Sequence, residues 1–539
     1  MTFVGSAGRT RNGRLLGTWG ARIHALTFGR GRREGGETAP PCGGSGRNVG
    51  VRHVPASWRA GRARLEGHED RPLLPPVCHA GSPSLIPTRP NAASETRNTM
   101  ARVLIATAPY VGHVNPATSI ARTLTSRGHE VVWYTSRAFE RAVEVTGATF
   151  TPMRPHLEFD PTNLDERFPA RARLNPLKKW EHDIKHLLAD FIPDTLDDVR
   201  EVLRVFPADV ILTDVAFVAG RSVHHHTGLP WVSFNPAPVT CSSRDTAPFG
   251  FGLRPDASPL GRARNAALNW LVQRALLGGA DRYLAGRERE VGTPPSGRFV
   301  LDAMIHAPDV LLQGTIPELE YPRSDLPATV HFIGALLPDP ATDYVRPAWW
   351  GELTSGRKVV HVTQGTIDNT DFSKLILPTL RALAGEDVFV IATTGGRDVS
   401  EVRAALPVNA RVEAFIPHDL LLPFVDVMVT NAGFGGVQRA LAAGVPLVLA
   451  GKEADKAEVC GRVAYAGAGI DLRTETPTPR QLQESVRAVL TLPSYRERAA
   501  TMRAAFARHD AATRAADLIE AAARKGERPV STREAVALA

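Results

Sequence analysis

The chain has 539 residues, 43% of them hydrophobic and 22% charged, which is too long for one small domain and too ordinary in composition for a disordered or fibrous chain. No apolar run approaches the ~18 residues of a membrane-spanning helix. The net charge of +8 sits in the first 99 residues, where 15 arginines face 6 acidic residues; the 49 basic and 50 acidic residues that follow nearly cancel, leaving no basic stripe for a nucleic-acid backbone.

Residues 1–99 hold 16 Gly and 9 Pro without periodicity, so no face can build a core. They contain no 7–15-residue apolar stretch of the signal-peptide kind. The segment reads as a disordered basic leader or as a start assigned too far upstream, the second being favoured, with a transit peptide a weaker third reading. Of the four cysteines, Cys42 and Cys78 fall in this leader, and Cys241 and Cys460 lie 219 apart. Neither a disulfide framework nor a zinc site follows, and a cytoplasmic protein is expected.

From Met100 the pattern changes. Residues 102–107 read as a strand, 112–116 as a turn, and 117–127 as a helix ended by Gly128. Residues 130–134 make a second strand, completing a βαβ unit that demands a parallel sheet. Further strands read at 210–214 and 231–234, with a mixed, charged, Pro-punctuated insertion at 155–205 between the second and third. A Pro-rich stretch (Pro317, Pro322, Pro327, Pro338, Pro340, Pro347) reads as a linker. A second series follows: strands at 358–362, 388–393, 411–414 and 427–429, helices near 372–384, 435–443 and 480–490, and one amphipathic helix over 496–524 expected to pack across the sheet or back onto the first domain. The expected architecture is α/β, two doubly wound Rossmann-like domains. The expected divisions are 1–99 leader, 100–316 first Rossmann-like domain, 317–356 linker, 357–525 second Rossmann-like domain and 526–539 flexible tail. In open α/β sheets ligands bind at the carboxyl ends of strands, so the site is expected in the cleft.

The most informative segment is Thr430-Asn431-Ala432-Gly433-Phe434-Gly435-Gly436-Val437, between a strand and a helix. Glycines there allow close backbone approach, and a helix amino end offers free N–H groups to an anion such as a diphosphate. Alone, a Gly-rich turn without a ligand is equally consistent. Four stretches together resemble the inverting, metal-independent glycosyltransferases that use nucleotide sugars, of the bacterial macrolide/antibiotic type (the UDP-glycosyltransferase superfamily, GT-B fold). These are Pro417-His418 with the preceding Ile416, the glycine turn, Gly444-Val445-Pro446 and Asp455-Lys456. The resemblance covers about 100–525 and implies that 100–316 binds the acceptor and 357–525 the nucleotide sugar.

The resemblance implies that Asn431, Gly433, Gly435, Gly436 and Val437 meet the donor phosphates, that Ile416, His418 and Arg439 lie by the base and ribose, and that Asp455 and Lys456 hold the sugar hydroxyls. Thr366, in Val362-Thr363-Gln364-Gly365-Thr366, resembles the family's β-phosphate element. Three residues depart from the family pattern. Asn431 replaces His and can still donate a hydrogen bond to phosphate; Arg439 replaces a Glu and cannot accept from ribose, so ribose is held otherwise, Arg439 points at phosphate or donor binding is weak; Lys456 replaces Gln and could pair with a phosphate or with Asp455.

Displacing a nucleoside diphosphate requires the acceptor oxygen to lose its proton, work that suits His. In Gly112-His113-Val114-Asn115-Pro116, His113 resembles the family base, and Asp214, ending the strand Val-Ile-Leu-Thr-Asp, its orienting partner. The alternatives are a surface His and a helix-capping Asp. The expectation is transfer of a sugar from a UDP- or dTDP-sugar co-substrate to a hydroxyl of a small hydrophobic acceptor, with inversion, no metal and no other cofactor, by a monomer or homodimer. The rivals are a non-catalytic nucleotide-sugar-binding auxiliary protein and a nucleotide-sugar epimerase of the same architecture. His182 and His186, and His224-His225-His226, are expected on helix surfaces or lining the acceptor pocket.

Overall fold

A computed structural model describes residues 100–159, 164–337, 343–453 and 455–526; the expectations for 1–99, for Pro338 and Pro340, and for 527–539 lie outside them. Two parallel sheets organise these residues.

The first sheet has seven strands in the order β3-β2-β1-β4-β5-β6-β7. They are β1 (Arg102–Ala106), β2 (Glu130–Thr135), β3 (Thr149–Pro152), β4 (Val210–Asp214), β5 (Trp231–Asn235), β6 (Val310–Gln313) and β7 (Val330–Phe332). β4 and β5 are buried at every position, as expected for apolar, β-branched runs covered on both faces. Helix α1 (Val111–Ser126) follows β1 and buries Val114, Ala117, Ile120, Ala121 and Leu124, one stripe of a 3.6-residue period. It starts six residues before the expected 117. Pro116 lies inside it, close enough to the amino end that only one backbone bond is lost. His113 therefore stands in the first helical turn, not in a preceding loop. Helices α2 (Pro176–Asp183) and α3 (Ile192–Val205) come from the insertion, and α4 (Gly220–Thr227) carries the three-histidine run.

The second sheet has six strands ordered β10-β9-β8-β11-β12-β13: β8 (Lys358–Thr363), β9 (Val388–Thr393), β10 (Ala410–Glu413), β11 (Val427–Thr430), β12 (Leu447–Leu449) and β13 (Gly469–Asp471). Its helices include α5 (Ile376–Leu383), α6 (Phe434–Ala442), α7 (Lys456–Ala466), α8 (Pro479–Thr491) and α9 (Pro493–Phe506). Thr478 caps α8 reciprocally with Gln481.

Two findings revise the expected divisions. The Pro-rich segment is not a bare connector, since β7 within it forms the edge of the first sheet, its Leu312–His331 register set against β6. The single helix expected over 496–524 is two helices. The second, α10 (Ala511–Gly526), crosses back and buries Ala515, Ala516, Ile519, Ala522 and Ala523 with Val103, Ile105 and Leu124 in the core of the first domain. Glu520 fixes it there, accepting from Arg127 at 2.7 Å and paired with His129 at 3.0 Å. Burying Ile519 alone contributes about 2 kcal/mol.

Candidate functional site

In both sheets the strand order reverses beside the first strand, between β1 and β4 and between β8 and β11. A crevice opens at the carboxyl ends of strands at such a reversal.

At the first reversal, His113 Nδ1 lies 2.6 Å from Asp214 Oδ1. Asp214 is buried, and its two oxygens also accept the backbone N–H groups of Ala108 at 2.7 Å and Ala216 at 2.8 Å. A carboxylate in such a cradle can only accept, so His113 donates from Nδ1 and keeps a lone pair on Nε2. The imidazole side chain is 22% exposed while that of Asp214 is closed off. Tyr110 leans on His113 with ring centroids 5.5 Å apart and meets Phe159 edge-on. Burial, with the charges of Asp183 and Asp214, drives the Tyr110 phenol far above its ordinary range, so it stays protonated.

At the second reversal, α6 begins at Gly433 with no side chain capping it, and Gly433 and Gly435 are exposed. The first amides of a helix have no intrahelical acceptor, so this end can receive an anion. Gly436 is half-buried, and Val437 turns its side chain into the core. Thr366 lies exposed in the loop after β8. Ile416 belongs to the core beneath Pro417. His418 is half-buried, 5.6 Å ring to ring from buried His361. Burial pushes His418 down to about 3, aided by the charges of His361 and Arg439, and pushes His361 down to about 4. Both are therefore neutral. His361 Nε2 and His418 Nδ1 have no hydrogen-bond partner. Arg439, half-buried, stands at this corner with Asp419.

Asn431 departs from expectation. Its Nδ2 donates inward, to Gln364 O at 2.6 Å and Asp368 O at 3.3 Å, while buried Oδ1 has no partner. The amide that was to reach a phosphate is thus committed to backbone carbonyls, because the loop after β8 passes directly over it.

A small pocket joins these loops, lined among others by Asn431, Asp368, Lys374, Lys456 and Glu475. Lys456 pairs with Asp368, whose other oxygen is 3.6 Å from Lys374. Burial raises the Asp368 carboxyl, but Lys456 and then Lys374 outweigh it, and the group lies below its usual range. Lys456, read from sequence as a sugar or phosphate ligand, is thus already neutralised by a carboxylate, and no sequence motif pointed to Asp368 or Lys374. A signal for them exists: both are charged residues in the loop after the first strand of a doubly wound sheet.

Asp455 is the N-cap residue of α7, the helix that reaches the first domain. Burial pushes its carboxyl up, opposed by a backbone hydrogen bond and by the positive charges of Lys456, His113 and Arg462. Three residues beyond it, Glu458 accepts the backbone N–H groups of Gly250 at 3.0 Å and Gly252 at 2.8 Å, so the two domains touch beside this carboxylate.

Four of the other histidines noted in the sequence have ordinary partners. His186 Nδ1 meets Asp190 at 2.8 Å, His182 meets Asp183 at 3.3 Å, and His224 and His226 bond carbonyls of Leu229 and Val291.

Residues 377–521 match the model of the erythromycin biosynthesis protein CIII-like C-terminal domain. The chain is 45% identical over 420 residues to 4'-demethylrebeccamycin synthase of Lentzea aerocolonigenes, covering 78% of this chain and 99% of that protein. It is 34% identical over 436 residues to UDP-glycosyltransferase 2 of Phaeomoniella chlamydospora, covering 78% and 95%. Among solved structures, the kitacinnamycin glycotransferase aligns with a TM-score of 0.62 at 24% identity, over 78% of this chain and 99% of the other. The glycosyltransferase VinC in complex with dTDP aligns with a TM-score of 0.55 at 21% identity, over 79% and 100%. These two likenesses are of fold.

Proposed function

Because the chain belongs to the antibiotic-type glycosyltransferases of the UDP-glycosyltransferase superfamily, with the two-domain GT-B fold, we propose that it moves a sugar from a UDP- or dTDP-sugar to a hydroxyl of a small hydrophobic acceptor, with inversion at the anomeric carbon. The observation that carries this reading is the His113–Asp214 pair at 2.6 Å, which leaves the imidazole partly exposed and its Nε2 free to take a proton.

The acceptor hydroxyl gives its proton to His113 Nε2 as its oxygen attacks the anomeric carbon from one face. The nucleoside diphosphate leaves from the other, so one in-line displacement inverts the centre. Asp214 holds the imidazole in the tautomer whose free lone pair is Nε2 and stabilises the imidazolium once the proton arrives. The charge that grows on the departing diphosphate is met by the free amides at Gly435 and Gly436 and by the exposed Thr366 loop. Asp455 accepts from sugar hydroxyls, and Lys456 donates once Asp368 yields it. VinC is in complex with dTDP, and the Phaeomoniella relative is named for UDP; the two support the two donor classes offered.

The test is a calorimetric screen of UDP- and dTDP-sugars, followed by turnover and product NMR. A bound donor, a product of opposite anomeric configuration and loss of both transfer and donor hydrolysis in His113→Ala are expected. A product of retained configuration removes the in-line mechanism, and unchanged turnover in the variant removes the base.

A further inference from the structure

Helix α7 begins beside Asp455, and its first residue is Lys456. One turn further in, the same helix sends two charges out of the second domain and into the first. Glu458, buried, accepts the backbone N–H groups of Gly250 at 3.0 Å and Gly252 at 2.8 Å with one oxygen, and Arg462 Nη1 at 2.6 Å with the other. Arg462 is fully buried and continues the link, donating to Glu320 at 2.8 Å and to Val239 O at 3.4 Å and lying 4.4 Å over the Tyr321 ring. Glu320 in turn accepts the Val239 N–H at 2.8 Å. The backbones close on each other here: Gly252 has φ +58°, and a Cβ on it would stand 2.9 Å from Ala457 O.

The loop that Glu458 holds reaches toward the base. Phe249 stacks on Trp180 of α2, with centroids 6.0 Å apart and planes at 14°. His182 of α2 meets Phe168 edge-on with ring centroids 5.5 Å apart, Phe168 and Tyr110 pack against the same small cluster of Phe159, Leu164 and Leu187, and Tyr110 lies against His113. A continuous packed path thus runs from the helix bearing Asp455 and Lys456, through Glu458, Gly250 and Gly252, Phe249 and Trp180, to the surroundings of the base.

We propose that Glu458 is a positioning residue that fixes the acceptor-side loop Pro248–Leu253 against the donor-sugar end of α7, so that the acceptor is registered to the sugar by the second domain itself. The inference rests on the transferase reading. It assigns Phe249 and Trp180 to the acceptor's wall and an apolar, ring-bearing acceptor to that wall. It also separates two binding steps. The nucleoside diphosphate is held by α6 and the loop after β8, which Glu458 does not touch, whereas acceptor placement passes through it.

The probes are UDP for binding, and UDP-glucose or dTDP-glucose with 4-methylumbelliferone, a flat phenol, for turnover. In Glu458→Gln the amide cannot both accept the two N–H groups and face Arg462, so the loop is released. The expected result is an unchanged UDP dissociation constant, an acceptor KM raised about tenfold or more, a larger share of donor hydrolysed than transferred, and faster hydrogen exchange at Gly250 and Gly252. Phe249→Leu, which leaves the ionic cluster whole, is expected to raise the acceptor KM with its melting temperature unchanged, and it carries the test should Glu458→Gln not fold. An acceptor KM unchanged in both variants overturns the proposal, as does UDP affinity falling in step with acceptor KM, the mark of a merely structural role. Wild-type protein that turns over neither donor removes the transferase reading instead.

Discussion

Replacing Asp214 by Asn exchanges one oxygen for an NH2 group and tests the base assignment directly. Asp214 accepts three N–H groups, from Ala108, Ala216 and His113. An amide has one oxygen and one NH2, so at least one donor must face another donor. The two backbone groups are fixed by the carboxyl end of β4 and the start of α1; the imidazole is the part that can adapt. It does so by moving its proton to Nε2 and offering Nδ1 as acceptor, which removes the lone pair from the acceptor side. General-base help amounts to about 10²–10⁴ in rate, so kcat is expected to fall by that factor, about 3–5 kcal/mol of transition-state stabilisation. One mismatched buried contact costs about 1–3 kcal/mol of stability, visible as a lower melting temperature. His113→Ala is expected to lose as much rate with less stability, because its side chain is 22% exposed. The double variant is expected to be no slower than either single, since the two act as a unit. Turnover of UDP- or dTDP-glucose followed with a thermal melt supplies both numbers. A folded Asp214→Asn protein within tenfold of wild type, or rate losses that multiply in the double variant, would refute the dyad.

Asp368→Asn frees Lys456 and Lys374 from their shared carboxylate; UDP is expected to bind about fivefold more tightly at low salt, with the gain fading at high salt, as isothermal titration will show. Asp245 accepts from the Ser324 hydroxyl at 2.6 Å and backbone N–H at 2.7 Å, and these bonds, with Arg262, hold its carboxyl down to about 2. A folded pKa below the unfolded one adds stability that is complete above about pH 4 and lost as pH falls toward about 2; Asp245→Asn should flatten the melting temperature over that window and lower it at pH 7. Gly252→Ala should cost about 2 kcal/mol, from the left-handed backbone and the contact with Ala457 O, seen as a lower urea midpoint. Ending the chain after residue 508 removes α10 and bares one face of the first sheet; insoluble or molten protein is expected, and a cooperative melt at the wild-type temperature would show that α10 is dispensable.

Much of the molecule was legible in the residue order because its signals are local. Residues 102–107 and 130–134 announced a parallel βαβ unit by their apolar runs and the helical spacing between them. The Gly433–Gly436 turn announced a helix amino end built for close approach. His113 and Asp214, though 101 residues apart, were paired through the resemblance of their motifs, and their 2.6 Å contact is a product of β1 and β4 lying side by side. Strands such as β7 and β13, three residues long, left too short a pattern to read.

Tertiary structure decided what no local pattern encodes. Which way the Asn431 amide turns depends on carbonyls 63 and 67 residues away. Whether Lys456 is free depends on Asp368, brought to it from 88 residues earlier. That the amphipathic C-terminal stretch packs onto the first core rather than across the second sheet, and that Glu458 grips a loop 206 residues upstream, follow from long-range contacts that no local pattern carries. Periodicity tells a segment which of its own faces to bury; only the folded chain chooses the partner that covers it, and the charge that each buried polar atom meets.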